Sequence, residues 1–341
     1  LSYNGYVGVQ SVVKKLDVLN ATQYIQMVDT VTKGNYLNMP YTPDQVAAAG
    51  VGSNWQDQIF RKATVQNHSI AMAGSSDKSN YYLGLNYFDQ DGIVITSNYK
   101  KYGVRFNFEC HPLERLKVTT NLEVQKAVNN QILTTNAANE SAGPINSAIE
   151  FDPSILPKID STTGQYYTNP SVALNNPLSL LYGVKTTVTG NRAYGTISAE
   201  YSITDNLTAT LRAGYDANLS RTDYYNSRLT INGGSTKGNA SVTSNEGYHW
   251  IAEYFMTYNK VFNNVHNLTV LGGTTFEDSY SRYASASGSG FPSDILGVNL
   301  LQSGLQSTYG IASSASDNRL NSFLGRVNYG YNNKYLVTAS M

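Results

Sequence analysis

Residues 207–216 read LTATLRAGYD, and their side chains alternate strictly between two chemical classes. The odd-numbered positions are Leu, Ala, Leu, Ala and Tyr, and the even-numbered positions are Thr, Thr, Arg, Gly and Asp. Because successive side chains of a β-strand point to opposite faces, this stretch predicts a strand with one apolar and one polar face. About ten residues is also the length with which a tilted strand crosses a lipid bilayer.

The same two-residue period recurs along the whole chain. It is clear at 116–125, 193–203 and 323–331, where alternate positions are apolar or small. Together with the turn-forming residues between them, these patterns predict about eleven strands. The predicted strands are 3–13, 64–73, 79–89, 98–109, 116–127, 191–203, 207–220, 247–262, 266–278, 319–331 and 334–341.

The connections between these strands are alternately short and long. The short ones are 74–78, 110–115, 204–206, 263–265 and 332–333, and the long ones are 14–63, 90–97, 128–190, 221–246 and 279–318. Transmembrane barrels have tight periplasmic turns and long extracellular loops. The sequence therefore predicts an all-β fold, an antiparallel transmembrane β-barrel whose first strand runs outward.

Composition is consistent with a membrane barrel. The 24 basic and 24 acidic residues give no net charge, which argues against a nucleic-acid-binding protein. The 27 Tyr outnumber the 10 Phe and 2 Trp, and Tyr suits a membrane interface because its ring is apolar and its hydroxyl is polar. Cys110 is the single cysteine, so an internal disulfide is excluded, and no apolar run is long enough for a transmembrane helix.

Both ends of the chain read as strands, at 1–6 and at 335–341, so we expect a longer polypeptide. Lipid offers no hydrogen-bonding partner to a strand edge, so about eleven strands are not expected to form an open sheet in a bilayer. A short helix is expected in the first long loop. Asn20 is a candidate N-cap, and Gln23 lies three residues later, which is the spacing of a capping box.

Several ordered segments resemble SusC/RagA-like TonB-dependent transporters. They are LDVLNATQYIQM at 16–27, NWQDQIFR at 54–61, QNHS at 66–69, YYLGLNYFDQDG at 81–92, IVITSNYKKY at 93–102 and NYGYNNKYLVTAS at 328–340. The second segment resembles the family's DWQDEIFR, from which Asn54 and Gln58 depart. The resemblance extends in order over nearly the whole chain.

The resemblance implies a barrel of about 22 strands that is filled by a plug. Residues 1–341 would form about the first half of that barrel, starting after the plug, without the plug itself or the TonB-contacting box. It also implies a bacterial outer-membrane location and a SusD-like surface lipoprotein that closes over the cargo as a hinged lid. The cargo would be an oligosaccharide or a peptide, and TonB would act through the missing N-terminal region.

Aromatic side chains of the predicted extracellular loops are the candidate contacts for substrate or partner. They are Tyr166, Tyr167, Tyr182, Phe291 and Tyr309. Aromatic rings beside amide and hydroxyl groups suit the recognition of sugars or peptides, and long loops on a rigid scaffold often carry function. Packing within the loop, or against the lid protein, is the commoner role for any one such residue.

Charged side chains on the polar faces of the strands are candidate lumen-facing groups. They are Arg105, Glu123, Arg212 and Arg326. They are expected to form ion pairs within the lumen or to meet the plug, and structural packing is again the commoner role.

Catalysis, a cofactor and a metal site are not expected. The four histidines show no pattern of nucleophile, base and orienting residue. The residues DQDG at 89–92 lack the rest of a calcium loop, and Cys110 and His111 are adjacent in a strand and would point apart. Two alternatives remain open: another outer-membrane barrel such as a porin or adhesin, and a soluble β-rich surface-binding protein.

Overall fold

A single antiparallel β-sheet of eleven strands organises the structure, a computed structural model that describes residues 1–34, 41–169 and 172–341. Each strand pairs with its neighbours in the sequence, so the order across the sheet is β1 to β11. The strands are β1 (Ser2–Gln10), β2 (Ala63–Ser76), β3 (Ser79–Asp91), β4 (Asn98–Leu113), β5 (Leu116–Gln131), β6 (Val184–Thr204), β7 (Leu207–Asn226), β8 (Asn239–Phe262), β9 (His266–Ser289), β10 (Gly310–Tyr331) and β11 (Tyr335–Ser340). The predicted all-β antiparallel fold class is confirmed.

Short helices occupy the long connections. They are α1 (Ala21–Gly34), α2 (Pro43–Ala48), α3 (Trp55–Ile59), α4 (Pro144–Glu150), α5 (Pro177–Gly183) and α6 (Ile231–Ser235), followed by 3-10 turns at Gly297–Ser303 and Gln306–Thr308. At the start of α1, Asn20 Oδ1 accepts from the Gln23 main-chain N–H at 2.9 Å, and Gln23 Oε1 accepts from the Asn20 N–H at 3.0 Å. This is the expected capping box. Within the described ranges, every helix is too short or too polar to cross a bilayer.

The pairing register gives the sheet two chemically different faces. Leu211 pairs with Ala199 on one side and Tyr254 on the other, whereas the next residue, Arg212, pairs with Ser198 and Glu253. Directly paired residues of an antiparallel sheet point to the same face, so the alternation within each strand adds up across the sheet. One face is therefore largely apolar and the other largely polar.

Asparagine pairs shape the tight turns at one end of the sheet. Asn263 and Asn264 have φ of 50° and 60°, and Asn332 and Asn333 have φ of 49° and 53°. Positive φ at two consecutive residues is the geometry of a type I′ turn, whose twist matches that of the flanking strands, and asparagine tolerates it better than most residues. These turns fix the register of β8 with β9 and of β10 with β11.

Five strands continue well beyond the ends that the sequence predicted. β9 extends to Ser289 instead of residue 278, and β10 begins at Gly310 instead of residue 319. Residues 281–289 read SRYASASGS, which after Arg282 and Tyr283 is a run of small side chains without large apolar residues. The backbone ladder continues through it because main-chain pairing does not require an apolar face. The predicted loop 279–318 thus contains strand at both ends, and so do the predicted loops 128–190 and 221–246.

Most of the buried apolar core lies in the connections, and a smaller cluster includes Tyr225 of β7 and Ala240 of β8. Its main cluster, which we call the first lobe core, comprises Trp55, Ile59, Val94, Ala142, Ala148, Phe151, Leu174, Leu178 and Leu181. These residues come from three connections, the described residues of 11–62, 92–97 and 132–183, which together we call the first lobe. Large apolar side chains of the strands remain exposed instead, among them Leu85 at 47% and Leu211 at 59%.

Trp55→Ala should unfold the first lobe while leaving the sheet paired. Trp55 is 1% exposed, and removing a buried aromatic side chain costs about 3–5 kcal/mol. Hydrogen exchange of the amides in 142–169 and 172–181 should therefore accelerate strongly. Trp250→Ala is the matched control, because Trp250 is 37% exposed on the apolar face and should leave those amides unchanged. Unchanged exchange in Trp55→Ala would show that the lobe does not depend on this ring.

Candidate functional site

Trp55 joins the first long connection, 11–62, to the third, 132–183. Its indole Nε1 donates to the main-chain oxygen of Asp152 at 3.0 Å. The indole ring meets Phe151 edge-on, with centroids 5.0 Å apart at 80°. An aromatic pair in this geometry contributes more than its buried area alone. The tryptophan of the NWQDQIFR segment is therefore a structural link between two connections.

The other residues of that segment connect further stretches of backbone. The Gln56 side chain accepts from the Leu16 N–H and donates to the Leu16 carbonyl, both at 2.8 Å. Arg61 Nε donates to the carbonyl of Gly92 and Arg61 Nη2 to the carbonyl of Ser97, both at 3.0 Å. Each side chain satisfies main-chain groups in a distant stretch, as the irregular backbone of a packed loop requires.

Asp152 is a buried acid that sequence reasoning missed. It is fully buried. Its Oδ2 accepts from the Tyr41 hydroxyl at 2.6 Å and its Oδ1 from the Ser154 N–H at 2.8 Å. The local signal was the Asp-Pro-Ser run, in which an aspartate side chain caps its own turn. The partner Tyr41 lies 111 residues away in the chain, so no local pattern could reveal it.

A second cluster of loops, which we call the second lobe, consists of residues 227–238 and 290–309. Asp294 is central to it, because its Oδ1 accepts from the Tyr225 hydroxyl and from Arg228 Nη1, both at 2.6 Å. Phe291 packs on Tyr225 with ring centroids 5.9 Å apart. Asn175 of the first lobe accepts from the Ile231 N–H of the second at 2.7 Å. The two lobes therefore form one continuous layer at the end of the sheet opposite the tight turns.

The predicted loop aromatics divide into buried and exposed groups. Phe291 is 2% exposed and offers no free surface to a ligand. Tyr166 packs against the first lobe core, and its burial, with Tyr182 nearby, raises the pKa of its hydroxyl.

Three of the predicted aromatics present more of their side chains. Tyr167, Tyr182 and Tyr309 are 39%, 49% and 40% exposed. The Tyr309 hydroxyl hydrogen lies within reach of the carbonyls of Gln302 and Gly304, at 2.8 and 3.1 Å, which holds the ring in place.

The four predicted polar residues lie on the same face of the sheet. Arg105 pairs in register with Glu123, and Arg212 Nη1 lies 3.2 Å from Glu253 Oε2. Arg326 stands farther along this face, where Arg212 and Arg326 border a common cavity of about 620 Å³. The structure thus brings Arg105 to Glu123 and Arg212 to Glu253, and it keeps Arg326 apart from both pairs.

Further contacts between basic side chains or histidine and carboxylates on this face were not anticipated. Arg192 Nε donates to Asp216 Oδ1 at 2.9 Å, and His249 Nε2 lies 3.5 Å from Glu277 Oε2. Arg105, Glu123, Tyr194, Asp216 and His249 form one register row across five strands. We call this row the polar belt. It contains one guanidinium, two carboxylates, a phenol and an imidazole, so it offers both hydrogen-bond donors and acceptors to a polar ligand.

Asn107 is the side chain beside the polar belt with an unused buried acceptor. Its Oδ1 is buried without a hydrogen-bonding partner, and it borders a cavity of about 370 Å³ that Arg105 and Glu123 also line. A buried amide oxygen without a donor is unfavourable, so this cavity suits an occupant that donates a hydrogen bond. In the described part of the chain, no three metal-ligating side chains cluster in a way that could hold an ion.

Comparison with known proteins gives relatives that are named as receptors. No protein-family model matches the chain. TonB-dependent receptor P3 of Formosa agariphila is 27% identical over 344 residues, which are 99% of this chain and 33% of the relative. TonB-dependent receptor SusC of Bacteroides thetaiotaomicron is 27% identical over 372 residues, covering 100% of this chain and 34% of the relative. The expected resemblance to SusC-like TonB-dependent receptors is confirmed, and the chain spans about one third of the length of these relatives.

Solved structures show that the fold is shared. A chain of the RagAB peptide transporter superposes with a TM-score of 0.82 at 21% identity, covering 99% of this chain and 41% of that one. A chain of the RagAB peptide importer in its closed-closed state gives a TM-score of 0.78 at 20% identity, with the same coverage. The eleven-stranded sheet therefore has the fold of part of those transporters.

Asp294→Ala should loosen the second lobe. It leaves the Tyr225 hydroxyl and the Arg228 guanidinium without their shared acceptor, and losing such partly buried partners costs about 1–3 kcal/mol. Hydrogen exchange of residues 297–303 should accelerate correspondingly. Asp223→Ala is the control, since it removes an acid paired with the half-exposed Arg221 at 2.7 Å and should cost less than ~1 kcal/mol. Equal exchange in both variants would contradict the central role of Asp294.

Proposed function

We propose that this chain forms part of the wall of an outer-membrane β-barrel that imports a large nutrient in a TonB-dependent manner. The observation that carries the proposal is the sheet itself. It has tight turns at one end, a folded loop layer at the other, an apolar face and a polar face. An apolar sheet face of this extent exceeds the exposed patches of soluble monomers, and lipid is the environment that suits it. No second sheet packs on it among the described residues, which argues against the soluble β-sandwich alternative.

The stagger of the strands supports a barrel in a membrane. Gly84 of β3 and Ser279 of β9 share one register row. Gly84 lies 5 residues after Ser79, where its strand begins, and Ser279 lies 13 residues after His266, where its strand begins. If the tight turns lie at one height, the difference between these two counts is an offset of ~26 Å along the strands over a width of ~29 Å across the sheet. This offset corresponds to a strand tilt of roughly 40°. Transmembrane barrels have strand tilts of about 35–45°.

Two tyrosines of β8 lie on the apolar face at a spacing that fits a membrane. Tyr258 and Tyr248 of β8 lie ten residues apart on this face. The residues of the same face between them are Met256, Tyr254, Ala252 and Trp250. Ten residues extend ~33 Å along the strand, which at this tilt is about 25 Å along the membrane normal. That is the height of the apolar band between the aromatic girdles of outer-membrane barrels.

The free edges of the sheet support a larger barrel. Across the described ranges, β1 pairs only with β2, and β11 only with β10. Unpaired main-chain groups are costly in lipid, so further strands of the polypeptide would have to cover both edges. The whole barrel would have about 22 strands around a plug. The polar face, with Arg105, Glu123, Arg212 and Arg326, would then line the lumen and meet the plug.

The loop layer is the proposed contact surface for cargo and lid. Tyr167, Tyr182 and Tyr309 are its exposed aromatic candidates, whereas Tyr166 and Phe291 would hold the layer together from inside. Rings fixed on a rigid layer suit the recognition of an oligosaccharide or a peptide, because little entropy is lost on binding. The lid would be a SusD-like lipoprotein, and TonB would act through a region outside this chain. This role is transport and involves no catalysis.

The full-length protein should be extracted from the outer-membrane fraction only with detergent, and a surface lipoprotein should co-purify with it. The apolar face requires detergent because it would otherwise meet water. Membrane fractionation followed by mass spectrometry of the purified complex tests both points. A protein that stays monomeric in buffer without detergent would overturn the barrel, whereas a detergent-solubilised barrel without a lipoprotein would favour a porin or an adhesin.

Tyr167→Ala and Tyr182→Ala should weaken cargo uptake by roughly two- to tenfold each, since one aromatic contact contributes about 0.5–1.5 kcal/mol. Uptake of fluorescent oligosaccharides and peptides by intact cells, with and without an uncoupler of the inner membrane, measures this loss and its energy dependence. Tyr201→Ala serves as the matched control, because Tyr201 is 45% exposed but lies on the apolar face. Equal uptake by all three variants and the parent protein would remove these tyrosines from the site.

A further inference from the structure

A groove crosses the apolar face between two groups of tyrosines. It has a volume of about 830 Å³ and is lined by residues from β3 to β9. Its floor contains Ala193 and Ala217, which pair directly with each other. Because these are the smallest side chains with a Cβ, they leave a depression among larger neighbours. Leu85 and Val124 border one part of it, and Leu219 borders another.

The groove coincides with a gap in an aromatic row. On one side, Tyr87 and Tyr102 have ring centroids 5.2 Å apart. On the other side, Tyr248 stacks on Tyr215 at 6.2 Å and on Tyr280 at 5.4 Å. β5 and β6 lie between these two groups and contribute only aliphatic and polar side chains to this part of the face. The row of aromatic rings is therefore interrupted at the alanine floor.

One unpaired basic side chain stands at this gap. Lys126 lines the groove, pairs in register with Tyr102 and Asn191, and is exposed. Nearby charges are already neutralised, since Lys100 lies 3.4 Å from Asp89 and Arg282 lies 3.4 Å from Glu246, the one acid that lines the groove. Among the described residues no carboxylate is within ion-pairing distance of Lys126. The groove therefore has a local excess of positive charge.

We propose that this groove is a specific lipid site, which holds one acyl chain on the alanine floor and the lipid's phosphate at Lys126. The inference rests on the proposed function, because it takes the apolar face to be the lipid-facing one. The volume lies within the ~300–1,000 Å³ typical of small-molecule sites. Val124 shares a register row with Ala193 and Ala217, and Lys126 lies two residues beyond Val124 towards the loop layer. The ammonium therefore stands on the loop-layer side of the alanine floor, as a headgroup stands above its acyl chain.

Charge and shape favour a lipid over a protein partner. A partner helix or strand would need a flat or ridged surface of larger area, whereas this groove is bordered by rings on both sides. A lysine stem can lie along apolar surface while its ammonium reaches the headgroup level. The site therefore selects an anionic lipid and not merely any acyl chain.

Native mass spectrometry of the full-length protein in detergent tests the site. The probe is an equimolar mixture of dioleoyl phosphatidylglycerol and dioleoyl phosphatidylcholine, which share acyl chains and differ in net charge. The parent protein should retain one phosphatidylglycerol preferentially. Lys126→Gln should reduce that preference about fivefold, the effect of one basic residue near an anionic membrane surface. Ala217→Leu should reduce retention of both lipids by about tenfold, because the leucine fills the floor.

Two matched variants serve as controls. Lys260→Gln removes the same charge near Phe262, at the tight-turn end of β8. Ala209→Leu enlarges an alanine on the same face of β7 outside the groove. Both should retain phosphatidylglycerol as the parent protein does.

The outcomes separate this inference from the proposed function. An unchanged lipid preference in Lys126→Gln, or equal losses in Lys126→Gln and Lys260→Gln, would overturn the headgroup site. Should Ala217→Leu fail to fold, Lys126→Gln still decides. A protein that needs no detergent at all would instead overturn the barrel, and a detergent-dependent protein without lipid preference would overturn the groove alone.

Discussion

Main-chain pairing between neighbouring strands is the interaction on which the rest of this structure depends. Each strand pairs with the next in sequence. Tight turns fix the register of every second pair, such as β10 with β11, and main-chain pairing along the ladder holds the register of the pairs that long connections join. Once the register is fixed, the apolar positions of one strand lie beside the apolar positions of the next, on the same face of the sheet. The apolar face, the polar belt and the aromatic rows are all consequences of this alignment between strands. A shift of one residue in one strand would move its tyrosines to the polar face.

The fold could be predicted from the sequence because its signal is local and repeated. Residues 207–216 contain the alternation in full, and the Asn-Asn turns mark where strands reverse. The upper ends of β8, β9 and β10 could not be predicted in the same way. There the strands have left the proposed membrane region, so neither face needs to be apolar, and the small residues of 281–289 resemble a loop. Backbone hydrogen bonds alone extend the ladder, and side-chain patterns do not report them.

The candidate site was only partly within reach of sequence reasoning. The polar residues Arg105, Glu123, Arg212 and Arg326 could be assigned to one face because strand parity determines it. Their partners could not, since Arg212 meets Glu253 from a different strand. In the loop layer the limit is more severe. Whether Phe291 is exposed depends on Tyr225 of β7, which is distant in the sequence, and composition alone cannot distinguish a packing ring from a contact ring.

The extended strands and the loop layer have a joint physical consequence. Loops that connect short strands would be held only at their ends. Here the paired strands extend into the loop layer, and a buried apolar cluster lies in each lobe. The side chains of Trp55, Gln56 and Arg61 then connect distant stretches of the first lobe to one another. A surface held in this way loses little conformational entropy when it binds a ligand. In the proposed transporter the moving part would then be the lid, and the barrel side of the cargo site would remain rigid.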